Sequence, residues 1–295
     1  MSSIIIKHFF HPDSSTISYL IYDLISLKAA IIDSALDYES NSGNITFDFA
    51  NSQIEFIKQH KLTLTWILET HAHADHLSAA YYLKSQLGGK IAIGKYITQA
   101  QQTFKDIFAL NDAEISVSGK EFDQLLSHDD TLFIGDTAIK VIETPGHTRD
   151  SVTYLIEDNA FIGDTLFMPD SGSARCDFPG GAASELYQSI KQLYELPDNT
   201  KLWMCHDYQP NGRELQFQTT VAESKQSNIH ITDDVTLDSF VTVRQTRDNK
   251  LAVPRLLYPA LQVNIKGGEL PQASDHQPVF FKIPVHILKA EDQND

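Results

Sequence analysis

The chain contains one stretch, Thr70-His71-Ala72-His73-Ala74-Asp75-His76-Leu77, that carries three imidazoles and one carboxylate within six positions. Imidazole and carboxylate groups together suit zinc, iron or manganese. A strand-like apolar run at residues 64–68 precedes the stretch, and a helix-like segment at residues 77–87 follows it. The stretch is therefore predicted to leave the end of a strand, where loops carry function on a rigid scaffold. A histidine-rich loop that binds nothing is the plain alternative, although such clusters are normally linked to metals.

Three further candidate ligands occur downstream, each at the end of an apolar strand-like run. They are His147 after residues 138–142, Asp164 after residues 160–163, and His206 after residues 202–205. In each case a strand ends and a potential ligand follows at once. We therefore expect all of these side chains to converge on one site.

In order and spacing, this series of HxHxDH, Gly-His, Gly-Asp and a final His resembles the ligand series of the metallo-β-lactamase superfamily. The resemblance implies an α/β fold, a four-layer αββα sandwich of two similar halves. It also implies two groups of ligands, with His71, His73 and His147 around one metal, Asp75, His76 and His206 around the other, and Asp164 as the bridge. Two divalent ions held in this way lower the pKa of a shared water, as a hydrolase requires.

A subset of the same residues supports a different chemistry. His71, His147 and Asp164 form a two-histidine, one-carboxylate set, which is typical of non-haem Fe(II) oxygenases because it leaves coordination positions free. The remaining residues would then form a second site or orient the first set, and they are His73, Asp75, His76 and His206. Ligand identity alone leaves both arrangements open.

The residues around the ligands favour the oxygenase. Residues 163–166 (GDTL), 174–181 (ARCDFPGG) and 206–208 (HDY) resemble the persulfide dioxygenases, which bind one iron through positions matching His71, His147 and Asp164. Residues 254–265 resemble the bacterial branch called β-lactamase-like hydrolase, which is tied to sulfide detoxification. The resemblance implies one Fe(2+) per chain and the oxidation of glutathione persulfide, or a similar low-molecular-weight thiol persulfide, with O2 to sulfite and thiol.

Two departures from the mitochondrial-type enzymes leave the thiol carrier open. The gap between Asp164 and Arg175 is longer, and the C-terminal segment is extended. The alternative is a dinuclear Zn(2+) thioester hydrolase of the glyoxalase II kind, but the chain after Phe217 does not match the helical C-terminal domain of those enzymes. A catalytically silent member is the weakest hypothesis because every ligand position is filled.

Two residues are predicted to bind substrate. Arg175 would pair with a carboxylate of the thiol carrier, since its planar fork gives geometry as well as charge; the alternative is an ion pair with Asp170 or Asp177. Tyr208 would donate a hydrogen bond to substrate, or would only pack. Cys176 neighbours Arg175 but has no base nearby in sequence, so we expect a buried thiol rather than a nucleophile.

Composition restricts the class of protein. The chain has 295 residues, 42% of them hydrophobic, and a net charge of -16, which gives it no electrostatic reason to bind nucleic acid. Two cysteines suggest no disulfide framework, and no signal sequence or apolar run of membrane-spanning length is recognisable, so we expect a cytoplasmic protein. Residues 256–263 would serve either a homodimer interface or an intramolecular contact.

The coarse pattern alternates strands and helices. Helices are predicted at residues 51–60, 77–87, 97–108, 183–196 and 237–247. Residues 38–44 are predicted to be a loop, 251–263 an irregular apolar segment and 291–295 a frayed polar end. Residues 1–235 are predicted to form the catalytic domain, and residues 236–295 an extension packed on it. Asp33, at the end of a predicted strand, would either approach the site or cap a turn.

Overall fold

The computed structural model describes residues 3–272 and 278–285 of the chain. The predicted polar end at residues 291–295 lies outside these residues. The first half contains β1 (Ile4–His11), β2 (Thr16–Asp23), β3 (Lys28–Ile32), β4 (Ala35–Glu39), β5 (Asn44–Thr46), α1 (Asp48–Gln59), β6 (Thr63–Leu68), β7 (Leu77–Ser78), α2 (Ala80–Leu87), β8 (Lys90–Gly94), α3 (Ile97–Ile107) and β9 (Gln124–Leu126).

The second half continues with a mainly antiparallel unit and then helices. It contains β10 (Thr131–Ile134), β11 (Thr137–Glu143), β12 (Val152–Ile156), β13 (Asn159–Phe161), α4 (Ala183–Tyr194), β14 (Lys201–Trp203), β15 (Gln218–Thr220), α5 (Val221–Ser227), α6 (Leu237–Asp248) and α7 (Leu257–Asn264). A short 3-10 turn at Pro210–Gly212 lies between β14 and β15.

Two large sheets stack face to face. The first has the strand order β1-β2-β3-β6-β8-β9 and the second β10-β11-β12-β13-β14-β15, while β5-β4-β7 form a small third sheet. In the first sheet β3, β6, β8 and β9 run parallel; in the second only β13 and β14 do. The four-layer αββα sandwich that the resemblance implied is confirmed.

The alternation of side chains along β2 shows how the layers are built. Ile17, Tyr19 and Ile21 point into the core between the two sheets. Leu20 and Tyr22 point to the other face of the strand and pack in the core beneath the helices. Because successive side chains of a strand face opposite sides, a strand buried on both faces is mostly apolar, as residues 17–22 of β2 are apart from Ser18.

The helices cover the outer faces of the sheets. α1, α2, α3 and α7 contribute to the apolar cluster outside the first sheet. α4, α5 and α6 contribute to the cluster outside the second sheet. Among the described residues, no helix is long and apolar enough to span a membrane. The division at residue 235 stays a prediction.

Two local predictions are wrong. Residues 38–44 are not a loop throughout, because β4 and β5 pair there as a hairpin and β4 also pairs with β7. Residues 251–263 are not wholly irregular, because α7 begins at Leu257. Pro259 lies in the first turn of this helix, where backbone N–H groups have no partner within the helix, so proline is tolerated. α5 was not predicted.

Candidate metal centre

The ends of four strands bring all seven predicted ligands into one buried cluster. His71, His73, Asp75 and His76 lie in the irregular loop after β6, and the others follow β11, β13 and β14 as His147, Asp164 and His206. The five histidines are at most 5% exposed. His71, His147 and Asp164 offer ligand atoms within 4.8 Å of one another, and so do His73, Asp75, His76 and His206.

Asp164 lies between these two sets. Its Oδ2 is 4.0 Å from His71 Nε2 and 3.7 Å from His147 Nε2. Its Oδ1 is 3.5 Å from His206 Nε2, which is in turn 3.4 Å from Asp75 Oδ2. The two carboxylate oxygens therefore face different sets, as a bridging ligand requires.

The cluster contains buried polar atoms that have no hydrogen-bond partner within the described part of the chain. They are His71 Nε2, His73 Nδ1, His76 Nε2, His206 Nε2 and Asp164 Oδ1. Buried polar groups are rarely left unpaired, and each exception calls for an explanation. Imidazole nitrogens and a carboxylate oxygen are the donors that a first-row transition metal prefers. The residues present therefore fit a metal ion.

The other ring nitrogen of each of four histidines faces an oxygen. Thr16 Oγ1 lies 3.2 Å from His76 Nδ1 and 3.4 Å from His206 Nδ1. The remaining two contacts join His71 Nδ1 to Thr70 Oγ1 at 3.0 Å and His147 Nδ1 to the Arg175 carbonyl at 2.8 Å. Such contacts favour the proton on Nδ1 and leave Nε2 as the metal donor.

His73 is held in the opposite sense, with Asp33 as its partner. His73 Nε2 is 3.0 Å from Asp33 Oδ1 and 3.4 Å from Glu69 Oε2. These contacts leave His73 Nδ1 as the nitrogen that would bind a metal ion. Asp33 also accepts hydrogen bonds from the backbone and hydroxyl of Thr70, at 2.7 and 2.9 Å. Asp33 is 2% exposed. Of the two roles predicted for Asp33, the structure shows the approach to the site.

Gly163 brings the Asp164 backbone close to the loop after β6 that carries His71, His73, Asp75 and His76, which we call the ligand loop. Its φ is +52°, and a Cβ at this position would lie 2.6 Å from Thr70 Oγ1. Any other residue would push Asp164 away from the loop that carries His71. The Gly-Asp pair of the motif is therefore explained by close backbone approach.

Arg175 forms an ion pair with Asp177, which is one of the two ion pairs predicted as its alternative role. Its Nε and Nη2 each donate to Asp177 at 2.6 Å, and Nη1 donates to the Ala252 carbonyl at 2.7 Å. Asp170 pairs with Arg213 instead. The planar fork of Arg175 is thus largely occupied, although the side chain still lines the cavity beside the ligands. Its binding of substrate stays a prediction.

Tyr208 and Cys176 occupy contrasting environments. Tyr208 is 56% exposed, and its ring stacks on His206 with the ring centroids 5.7 Å apart. It lines the same cavity, so its predicted contact with substrate stays a prediction. Cys176 is buried, and burial raises the pKa of its thiol to about 12. Because the thiolate is the nucleophile, this environment argues against a covalent role.

The cavity beside the ligands has a volume of about 530 Å³ and is lined by Asp75, His147 and Asp164. Four arginines also line it, namely Arg175, Arg244, Arg247 and Arg255. Asp13 also lines it, and Arg175 and Arg244 are paired with Asp177 and Asp248, so Arg247 and Arg255 contribute most of the uncompensated positive charge. Arg244, Arg247 and Arg255 could not be predicted from the sequence, because no local pattern shows which face of α6, or which part of the segment after it, meets the site. The cavity suits an anionic small molecule.

Known proteins resemble this chain over nearly its whole length. A family model described as the metallo-beta-lactamase superfamily matches residues 15–206. The chain is 46% identical to a probable metallo-hydrolase of Burkholderia pseudomallei over 293 residues, covering 96% of this chain and 99% of that protein. It is also 46% identical to Glyoxylase B2 of Dictyostelium discoideum over 279 residues, covering 94% and 95%.

Similarity to persulfide dioxygenases is lower in identity but also extensive. The chain is 28% identical to the human mitochondrial persulfide dioxygenase ETHE1 over 268 residues, covering 90% of this chain and 89% of that protein. The crystal structure of ETHE1 from Myxococcus xanthus matches with a TM-score of 0.73 at 27% identity, covering 90% of this chain and 100% of that one.

Proposed function

The chain belongs to the metallo-β-lactamase superfamily, and from this premise we propose that it is a non-haem iron persulfide dioxygenase. The observation that carries the proposal is the His71, His147 and Asp164 set, which opens onto a cavity lined by arginines. Two histidines and one carboxylate leave room for both reactants at one ion. The similarity to persulfide dioxygenases over 90% of the chain supports the same reading.

The proposed substrates are a low-molecular-weight thiol persulfide, such as glutathione persulfide, and O2. In the overall reaction the terminal sulfur of R–S–SH is oxidised by one O2, and one water completes sulfite, while R–SH and two protons are released. His71, His147 and Asp164 would hold the iron, and a bound iron ion supplies the redox chemistry that joins dioxygen to sulfur. This chemistry matches a role in sulfide detoxification.

The side chains of this protein have two further tasks in the proposal. Arg247 and Arg255 lie at the cavity on the C-terminal segment and would bind the carboxylates of the thiol carrier. Arg247 is exposed at the cavity and forms no ion pair with any residue that the structure describes. Thr16 and the Arg175 carbonyl orient three of the ligand histidines, which fixes the direction of their Nε2 atoms.

A dinuclear zinc thioester hydrolase is the second candidate. One observation favours it: Asp164 Oδ1 faces His206, so the second ligand set is intact and Asp164 is placed to bridge. The name Glyoxylase B2, borne by a relative that is 46% identical, points the same way. Two ions at this site would supply hydroxide to a thioester carbonyl.

Metal analysis combined with an oxygen electrode separates the two candidates. For the dioxygenase we expect about one iron per chain and oxygen consumption when glutathione persulfide is added. Two zinc ions per chain, with rapid cleavage of S-lactoylglutathione and no oxygen uptake, would instead establish the hydrolase. Loading the metal-free protein separately with Fe(2+) and Zn(2+) controls for the metal acquired during expression.

Replacing Arg247 tests the anion-binding role. Arg247→Ala is expected to raise KM for glutathione persulfide about tenfold, which is ~1.4 kcal/mol, and to leave kcat near the wild-type value. The reason is that a carboxylate remote from the reacting sulfur contributes equally to ground-state and transition-state binding. Steady-state oxygen uptake provides both constants. Lys250→Ala is the control, because Lys250 is exposed and does not line the cavity; an equal rise in KM there would assign the effect to net charge alone.

A further inference from the structure

The ligand loop after β6 depends on an amide from the far end of the chain. Asn264 Nδ2 donates hydrogen bonds to the carbonyl oxygens of His73 and His76, both at 2.8 Å. Asn264 Oδ1 accepts the Ser78 backbone N–H, also at 2.8 Å. Asn264 is 4% exposed. An irregular buried loop has no ladder to pair its carbonyls, so one side chain satisfies two of them and fixes the backbone of two predicted ligands.

The position of Asn264 is itself tightly held. It is the last residue of α7, which is anchored by Ala260, Leu261 and Val263 in the core outside the first sheet. Gly268 follows with a φ of +84°, and a Cβ there would lie 3.0 Å from both Ser78 O and Tyr81 N. The chain after α7 therefore runs directly against the backbone that follows the ligand loop.

A second link joins α6 to His147 through one peptide group. The Arg175 carbonyl accepts the His147 Nδ1–H at 2.8 Å, and the N–H of the same peptide, that of Cys176, donates to Asp248 Oδ2 at 2.9 Å. Asp248 is 5% exposed and also forms an ion pair with Arg244. A carboxylate on α6 therefore sets the peptide plane that orients a predicted ligand.

We propose that Asn264 and Asp248 are positioning residues of the metal centre, so that α6 and α7 are parts of this centre although they lie outside the matched residues 15–206. The proposal rests on metal binding at the proposed site and does not depend on which reaction follows. Each residue acts through another group, Asn264 through the carbonyls of the ligand loop and Asp248 through the Arg175–Cys176 peptide. Loss of such outer partners typically lowers metal affinity 10- to 100-fold.

Titration of the metal-free full-length chain with Co2+ tests the role of Asn264. Asn264→Ala and the isosteric Asn264→Asp both remove the N–H donors, and we expect Co2+ affinity to fall about 10- to 100-fold with a changed visible d–d spectrum. The spectrum reports ligand geometry without any need for turnover. The matched control is Gln262→Ala, because Gln262 lies on the same helix and its amide bonds to Tyr258 and Lys282 but not to the ligand loop.

Substitutions of Asp248 test the proposal independently of Asn264. Asp248→Ala is expected to weaken Co2+ binding, and Asp248→Asn to restore much of it, since an amide oxygen can still accept the Cys176 N–H. The proposal would be overturned if Asn264→Ala and Asp248→Ala fold and keep the Co2+ affinity and the visible spectrum of the wild-type protein. An equal loss in Gln262→Ala would also overturn it, because general loosening of α7 would then explain the effect. If the substitutions weaken Co2+ binding as expected but the iron-loaded wild-type protein takes up no oxygen, only the dioxygenase proposal is rejected.

Discussion

Asp164→Ala is expected to abolish turnover and to deplete the bound metal, whether one ligand set or both hold an ion. The two oxygens of Asp164 face different sets, with Oδ2 toward His71 and His147 and Oδ1 toward His206, so the substitution removes one oxygen from each set. We expect kcat to fall at least about a thousandfold, which corresponds to ~4 kcal/mol of lost transition-state stabilisation. Elemental analysis of metal per chain and turnover of persulfide and of thioester measure the two effects.

The control for Asp164 lies on the same sheet. Asp136 is exposed in the turn between β10 and β11, at the other end of β11 from His147. Asp136→Ala should keep both metal and turnover. Full metal content and full activity in Asp164→Ala would contradict the assignment of the centre, whichever reaction the protein catalyses.

The ligand cluster could be predicted from sequence because its signals are local. Each ligand directly follows an apolar run, and the HxHxDH spacing is contained within a single loop. The fold could be predicted for a related reason, since apolar residues recur at a period of two along β11 and of about 3.6 along α3. These short-range patterns indicate which face of a strand or helix is buried, but they do not indicate which distant residues contact it.

The partners of the ligands could not be predicted in the same way. Asn264 is 191 positions from His73, and Asp248 is 72 positions from Cys176. No local pattern distinguishes a buried amide that pairs loop carbonyls from an asparagine in an ordinary helix end. The hairpin of β4 and β5 was missed similarly, because β4 pairs on its other side with β7, which lies about 40 positions further along the chain.

For Arg175, the structure shows one of the partners that the sequence allowed. The sequence allowed a substrate carboxylate, Asp170 or Asp177 as its partner, and both oxygens of Asp177 accept hydrogen bonds from the guanidinium. The side chain also lies over the Phe178 ring, 4.9 Å from its centroid. Arg175 thus shapes the loop whose carbonyl orients His147, and its binding of substrate stays a prediction.

Asp33→Ala is expected to destabilise the protein strongly even without metal. Although burial alone would raise the pKa of Asp33, the neighbouring His73 and the hydrogen bonds from Thr70 hold it below the ordinary value, so the buried carboxylate is ionised. Burial lowers the pKa of His73, but Asp33 and Glu69 raise it well above its usual range, so the pair is charged in the metal-free chain. Removing Asp33 leaves the charge of His73 uncompensated, and Thr70 also loses its acceptor. We expect the free energy of unfolding to fall by about 3–5 kcal/mol.

Urea unfolding in the presence of a chelator measures this loss separately from metal binding. Asp33→Asn should be intermediate, because the amide oxygen can still accept the Thr70 N–H while the charge facing His73 is removed. The exposed Asp136→Ala should change stability by less than about 0.5 kcal/mol. If Asp33→Ala also lowered the free energy of unfolding by less than about 0.5 kcal/mol, another group would have to compensate the charge of His73. The nearest alternative is Glu69, whose Oε2 lies 3.4 Å from His73 Nε2. Asp33 would then have no essential part in holding the ligand loop.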